Sequence, residues 1–256
     1  MQLTDLQIQH FDTFGFLLIR DFLDDQTVQN LRAALDSLKT EESGETDTIK
    51  HCGRVLEMFN TDPTHIALFD DLRLHAIATT LLRDPNPRFL GDEYASFSTG
   101  ADWHPDTLSH VPYESLKFGF YLDDVSRGGF LRVVPGSHNP DFSDSIQAFR
   151  SAQDPSPEID GAHICMTQPG DLLIFNLKLW HQGTINPEGT HRRVIFWSLG
   201  QDHPTFREFA RDFHTTSRRG EQHEPWPDLI LKDAPPHRRG MLDVYEPDTV
   251  KQQALV

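Results

Sequence analysis

The chain has 256 residues, with 39 acidic side chains against 23 basic ones and a formal charge of −16 at neutral pH. That balance excludes a general phosphate-neutralising surface for nucleic acid, which needs an excess of Lys and Arg. It also disfavours a polyanionic thioester as substrate, unless one local basic pocket overrides it. No apolar run approaches the ~20 residues of a membrane span. The start, Met1-Gln2-Leu3-Thr4-Asp5, lacks the charged-then-apolar pattern of a signal peptide. Cys52 and Cys165 are too few and too far apart for a disulfide framework or a zinc ribbon. A reducing cytoplasm is the expected setting.

Thr4 and Gln7 form a capping box that predicts a helix over residues 4–14, ended by Gly15. Phe16 to Arg20 reads as a strand. Asp24 or Asp25 then caps a second amphipathic helix, with Val28, Leu31, Leu35 and Leu38 at helical spacing. Residues 40–50 read as a polar loop. Residues 64–83 read as one helix with Ile66, Phe69, Leu74, Ile77 and Leu81 on its apolar side. From residue 89 the period changes to strands, at 89–98, 115–122, 131–134, 163–168, 171–180 and 192–199, between Gly- and Pro-bearing turns. Helices followed by a run of strands predict a mostly β fold with flanking α-helices around a double-stranded β-helix, a cupin-like jelly roll. The reading is one domain over 1–256, with a mainly helical part at 1–88, a core at 89–200 and a C-terminal extension at 201–256. The Asp- and Pro-rich stretch 139–162 suits a mobile lid. The polar, turn-rich extension could cover one end of the barrel, build a homo-oligomer contact or form a disordered tail.

The motif that carries chemistry is His104-Pro105-Asp106, followed by His181 in Leu179-Trp180-His181-Gln182-Gly183. In extended backbone, residues i and i+2 point to the same side, and Pro105 disfavours helix for the residue before it. Two imidazoles and one carboxylate can hold one face of a metal and leave the other open, as in non-haem Fe(II) oxygenases. Arg192 lies eleven positions after His181 (192 − 181 = 11), at the start of a strand rich in β-branched and aromatic residues. Arg192, Val194 and Phe196 share one face, and Arg193, Ile195 and Trp197 the other. Only one of the two arginines can enter a barrel, and Arg193 takes that place if the register slips. A guanidinium in an apolar interior needs an anion. The far carboxylate of a dicarboxylate would satisfy it with a two-pronged contact.

The order of His104-x-Asp106, Leu122-Asp123-Asp124, Leu131-Arg132-Val133-Val134-Pro135-Gly136-Ser137-His138, Pro169-Gly170-Asp171-Leu172-Leu173-Ile174-Phe175, His181, Asn186 and Arg192 resembles the phytanoyl-CoA dioxygenase family. His10-Phe11-Asp12-Thr13-Phe14-Gly15-Phe16-Leu17-Leu18-Ile19 is similar to that family's N-terminal helix, Gly and strand. The resemblance covers about residues 5 to 200. It implies a 2-oxoglutarate-dependent dioxygenase that uses Fe(II) and O2, with His104, Asp106 and His181 as metal ligands and catalytic centre, and Arg192 binding 2-oxoglutarate. Family members often carry a hydroxyl residue two positions after the distal His. Here that position is Gly183, so the hydroxyl would come from Thr184 if the alternation slips by one. Asp106 stands where a halogenase relative would lack a carboxylate, which implies hydroxylation.

Other residues have competing readings. Lys117 shares a strand face with Gly119 and Tyr121, so it is either a cofactor or substrate contact or a solvated edge residue. His138 follows a Pro-Gly turn and reads as structural. His110 is a substrate contact or a plain loop residue. The expected reaction is hydroxylation of an unactivated C–H bond in a small molecule, with release of succinate and CO2. The alternatives are a protein side-chain hydroxylase, which needs an open groove, and a metal- or ligand-binding barrel without catalysis. Neither nucleic acid nor membrane is an expected partner.

Overall fold

A computed structural model describes residues 1–42, 52–56, 63–97, 100–152, 158–186, 192–217 and 228–243. The first element follows from its cap. The Thr4 hydroxyl accepts the Gln7 N–H at 3.3 Å, and the Gln7 side chain accepts the Thr4 N–H at 2.9 Å, which starts α1 (Asp5–Phe14). Gly15 ends it at φ 79°, in the left-handed region. β1 is Phe16–Ile19, and α2 is Asp25–Glu42, started by Asp24 accepting the Thr27 N–H at 2.7 Å. Val28, Leu31 and Leu35 are buried as their spacing predicts. The helix runs into the stretch expected to be loop, while the Leu38 side chain and residues 43–50 lie outside the described residues.

β2 (Cys52–Leu56) was not anticipated. The helix expected over 64–83 is two, α3 (Pro63–Phe69) and α4 (Leu72–Leu82). Asp71 causes the break. Its backbone is extended and its side chain accepts the Arg73 N–H at 2.9 Å, a local bond that competes with helix continuation. The remaining elements are β3 (Arg88–Phe97), β4 (Ser115–Tyr121), β5 (Leu131–Val133), α5 (Pro140–Ser151), β6 (His163–Cys165), β7 (Leu172–Asn176), β8 (His181–Gly183), β9 (Arg192–Gly200), α6 (Pro204–Ser217), α7 (Asp228–Leu231) and α8 (Pro236–Leu242). The single strand expected over 171–180 is interrupted after Asn176. The Asn176 side chain accepts the Lys178 N–H and its carbonyl accepts the Leu179 N–H, both at 2.9 Å, and this turn separates β7 from β8.

The strands form a six-stranded sheet, β1-β7-β4-β9-β3-β2, and a three-stranded sheet, β6-β5-β8. All described pairings are antiparallel. The two sheets make the jelly-roll core. One face of the large sheet carries Phe118, Phe120, Ile195, Trp197, Leu172 and Ile174, and packs on Leu31 and Leu35 of α2, Phe69 of α3 and Ile77 of α4. The opposite face supplies Tyr121, Leu173, Phe175, Val194 and Phe196, which meet Leu131, Val133 and Cys165 of the small sheet. This second layer is the barrel interior.

Two peripheral stretches contain helices that were not expected. The stretch read as a mobile lid contains α5, whose Ile146 packs with Trp103, Val134, Ile159 and Trp180 on the outside of the small sheet. Residues 153–157 of that stretch lie outside the described residues. The turn-rich extension contains α6, α7 and α8. α6 and α8 pack against β3, with Phe206 fully buried and Arg238 paired to Asp70 at 2.9 Å. No described helix is long and apolar enough to cross a membrane.

Candidate metal centre

His104 and His181 meet at the backbone before their side chains do anything. They form an isolated antiparallel bridge in which each N–H donates to the other's carbonyl at 3.0 Å. Such a pair places both side chains on one side of the local sheet. Asp106 does not continue this bridge as a strand. The chain bends, and the Asp106 and Thr107 N–H groups both donate to the Leu177 carbonyl, at 2.9 and 3.0 Å. The expected sharing of one face by His104 and Asp106 is therefore achieved by a bridge and a bend.

Both imidazoles are oriented by the same device. His104 Nδ1 lies 2.7 Å from the Asp102 carbonyl, and His181 Nδ1 lies 2.9 Å from the Leu179 carbonyl, in each case two residues upstream. A carbonyl can only accept, so each Nδ1 carries a proton, and in the neutral imidazole Nε2 is the nitrogen left to present a lone pair. His104 Nε2 is 3.9 Å from Asp106 Oδ1, and His181 Nε2 is 3.8 Å from Asp106 Oδ2. The three ligand atoms lie within 4.8 Å of one another, and no other such group occurs among the described residues. His181 is 7 % exposed at its side chain and His104 46 %. Two neutral imidazoles and a carboxylate suit a divalent transition metal such as Fe(II).

The electrostatics favour these states. Burial would raise the Asp106 carboxyl, but Lys117, with His181 and His104, outweighs it and holds the group well below the usual carboxylate range. Burial, helped by His104 and Lys117, pushes His181 down to about 4 against the pull of Asp106, which keeps the imidazole neutral at physiological pH. Lys117 is no solvated edge residue. Its side chain is 12 % exposed, and Nζ lies 2.8 Å from Asp106 Oδ2 and 3.7 Å from Glu93. Glu93, Asp106, Lys117, Phe196, Ser198 and Phe209 line a cavity of about 100 Å³ that opens to solvent.

Arg192 and Arg193 separate as strand alternation predicts. Arg192 is 3 % exposed and lies on the interior face, with its guanidinium 5.8 Å from the Tyr121 ring. Arg193 faces outward and grips Asp123 with two bonds, at 2.7 and 2.9 Å, while also pairing with Asp36. Gly129 and Gly183 give Arg192 its room. A Cβ on Gly129 would come within 2.9 Å of Arg192 Cδ, and one on Gly183 within 3.3 Å of Nη2. Thr184 donates its hydroxyl to the Phe130 carbonyl at 3.1 Å. The hydroxyl that faces the arginine is that of Tyr121, whose pKa is raised by burial although Arg192 pulls it down. Sequence reasoning grouped Tyr121 with Lys117 and Gly119 on one strand face, left open which face enters the barrel, and gave Tyr121 no role. Its signal was the shared face with Lys117 and Gly119.

His138 and His110 have partners outside the His104, Asp106 and His181 trio. His138 packs under Gly15 and contacts the Asp12 carbonyl at 3.2 Å. His110 pairs with Asp144 of α5 at 3.0 Å.

Comparison with known proteins agrees with the fold. The family model of phytanoyl-CoA dioxygenase matches residues 11–194. A curated relative, dioxygenase andF of Emericella variicolor, is 25% identical over 217 residues, spanning 75% of this chain and 72% of its own. Among solved structures, HygX of Streptomyces hygroscopicus with iron bound superposes with a TM-score of 0.65 at 18% identity, covering 79% of this chain and 88% of that one. HygX with nickel and 2-oxoglutarate bound gives 0.64 at 19% identity with the same coverage. EctD of S. alaskensis, solved with 2-oxoglutarate and 5-hydroxyectoine, gives 0.61 at 19% identity, covering 78% of this chain and 76% of that one.

Proposed function

The chain belongs to the phytanoyl-CoA dioxygenase family, and from that premise we propose that His104, Asp106 and His181 hold its iron and Arg192 its co-substrate. The protein is a 2-oxoglutarate-dependent dioxygenase acting on a small molecule. Iron and 2-oxoglutarate supply the oxidising chemistry when bound: one atom of O2 enters the substrate C–H bond and the other enters succinate, with loss of CO2.

The observation that carries the assignment is the convergence of two Nε2 atoms and an ionised Asp106 within 4.8 Å of one another. Each histidine keeps its Nδ1 proton on a backbone carbonyl, so neither needs to lose a proton to bind metal. Lys117 holds Asp106 Oδ2 and fixes the carboxylate's rotation. Arg192 and the Tyr121 hydroxyl together receive the far carboxylate of 2-oxoglutarate, the task first assigned to Arg192 and Thr184. Lys117 acts on the same site through Asp106, and its charge also favours an anionic co-substrate. The Glu93–Lys117 pair beside Phe196 and Phe209 forms the wall facing the substrate.

We read residues 1–256 as one domain, supported by the pairing of β1 with β7 and of β2 with β3, which carries N-terminal segments into the core sheet. The deciding experiment is anaerobic titration of Fe(II)-loaded protein with 2-oxoglutarate, following the weak visible charge-transfer band of the chelate. A saturable band is expected. Iron binding with no band would replace the oxygenase reading with a binding barrel.

A further inference from the structure

Each metal-binding histidine directly follows a tryptophan, as Trp103-His104 and Trp180-His181. Neighbouring residues in extended backbone point opposite ways, so turning the histidines inward turns the tryptophans out. Both tryptophans are 2 % exposed, in the small cluster that holds Ile146 of α5. α5 grips both. Ser143 accepts the Trp180 indole N–H at 2.9 Å, and the Arg150 guanidinium lies 5.2 Å over the Trp180 ring.

Arg150 also reaches the other anchor. It donates to the Trp103 carbonyl and, at 2.6 Å, to Asp102 Oδ2. Asp102 Oδ1 accepts the Trp103 N–H at 2.8 Å, and the Asp102 carbonyl accepts His104 Nδ1–H at 2.7 Å. The His104 N–H goes to the His181 carbonyl at 3.0 Å. Thus all four polar groups of the two peptide units before His104 are held, one directly by Arg150 and one through Asp102. This matters more for His104 than for His181. His181 is fixed by burial, whereas the His104 ring is 46 % exposed at its side chain and depends on its backbone hold.

We infer that Arg150 is a positioning residue for the metal centre, binding the His104 arm to the helix that packs on the His181 arm. The inference rests on the reading of His104, Asp106 and His181 as the metal ligands. Groups that orient a metal-bound histidine commonly change metal affinity about 10–100-fold when removed.

The test uses Co(II) as the probe, with affinity from titration and geometry from its visible ligand-field bands, on full-length wild type, Arg150→Ala, Arg150→Lys and Asp102→Asn. The melting temperature of each metal-free protein is measured in parallel. Arg150→Ala should weaken Co(II) binding about tenfold or more and shift the bands. Arg150→Lys should recover part of the affinity, since an ammonium can serve one of the two acceptors but lacks the planar fork. Asp102→Asn, at an exposed side chain, should weaken binding in the same direction. If Arg150→Ala and Asp102→Asn bind Co(II) as wild type does, whatever their melting temperatures, Arg150 is only a structural residue and the inference is overturned. Should Arg150→Ala fail to fold, Asp102→Asn alone decides. Failure of the wild type to bind Co(II) overturns the metal-site reading itself, a distinct result.

Discussion

Arg192 and Arg193 are neighbours in the chain and occupy opposite faces of β9, one inside the barrel and one bound to Asp123 and Asp36 outside it. Their substitutions should therefore fail differently. Arg192→Ala leaves a cavity with no cation for the co-substrate carboxylate, and is expected to weaken 2-oxoglutarate at least tenfold, or ~1.4 kcal/mol. Iron binding should be little changed. Arg193→Ala should lower the melting temperature and leave 2-oxoglutarate affinity near wild type. Anaerobic titration of both variants checks this, and equal weakening by the two would remove Arg192 from the anchor role.

Lys117 makes a prediction whose sign is less obvious. Its ammonium lies 2.8 Å from Asp106 Oδ2, so it stabilises the carboxylate of the metal-free protein and repels an arriving cation. Lys117→Met should lower the melting temperature of the metal-free protein and tighten Co(II) binding, by about tenfold if a like charge worth ~1.4 kcal/mol is removed. Asp106→Ala should abolish both Co(II) binding and succinate-coupled hydroxylation. Weaker metal binding in Lys117→Met would show that the lysine's fixing of the carboxylate outweighs its charge.

Where the signal was local, the sequence was legible. Thr4, Gln7 and Gly15 delimit α1 by their own side chains and backbone, and alternation along β9 sorts Arg192 from Arg193. The metal trio was legible as a set, but its geometry was not. Asp106 is turned back by the Leu177 carbonyl, seventy-one residues away (177 − 106 = 71), and no local rule reveals that partner. The missed helices share a different cause. α5, α6 and α8 each begin with a proline, at Pro140, Pro204 and Pro236. These stretches were read from their composition as loop or turn-rich, although a proline at a first helical position starts a helix. Asn139, whose side chain accepts the Asp141 N–H, was the accompanying cap. Alternation grouped Tyr121 with Lys117 and Gly119, but which face enters the barrel, and the meeting of Tyr121 with Arg192, follow from the cross-strand match of Tyr121 with Val194, which only pairing fixes.

Gly129 ties backbone strain to co-substrate binding. It adopts φ +72°, and a Cβ there would approach Arg192 Cδ to 2.9 Å. Gly129→Ala should cost ~1–2 kcal/mol of stability from the left-handed backbone alone. It should also weaken 2-oxoglutarate several-fold by displacing Arg192. Gly161→Ala separates the two effects, because Gly161 has φ +81° and nothing within 4 Å of its added Cβ. That control should lose similar stability and keep co-substrate affinity. If both variants keep wild-type affinity, Gly129 has no part in placing the arginine.

Cys165 gives the alkaline limb of stability a specific origin. The thiol is 2 % exposed in the barrel interior, and burial pushes its pKa up from 9.0 to about 12. Between those values the unfolded chain has released the proton and the folded chain still holds it. The unfolded state then binds fewer protons, so stability falls as pH rises, with a slope approaching ~1.4 kcal/mol per pH unit from this one group. Its contribution is intact below pH 9 and is lost as pH rises toward about 12. Tyr121, also raised by burial, acts in the same direction at higher pH and is present in both proteins to be compared. Cys165→Ala should be less stable than wild type near pH 8, because it leaves a small void, and the difference should shrink steadily above pH 9. Urea unfolding at half-unit steps from pH 8 to pH 11 measures this, and curves that stay parallel over the range would show that the buried thiol is not the source.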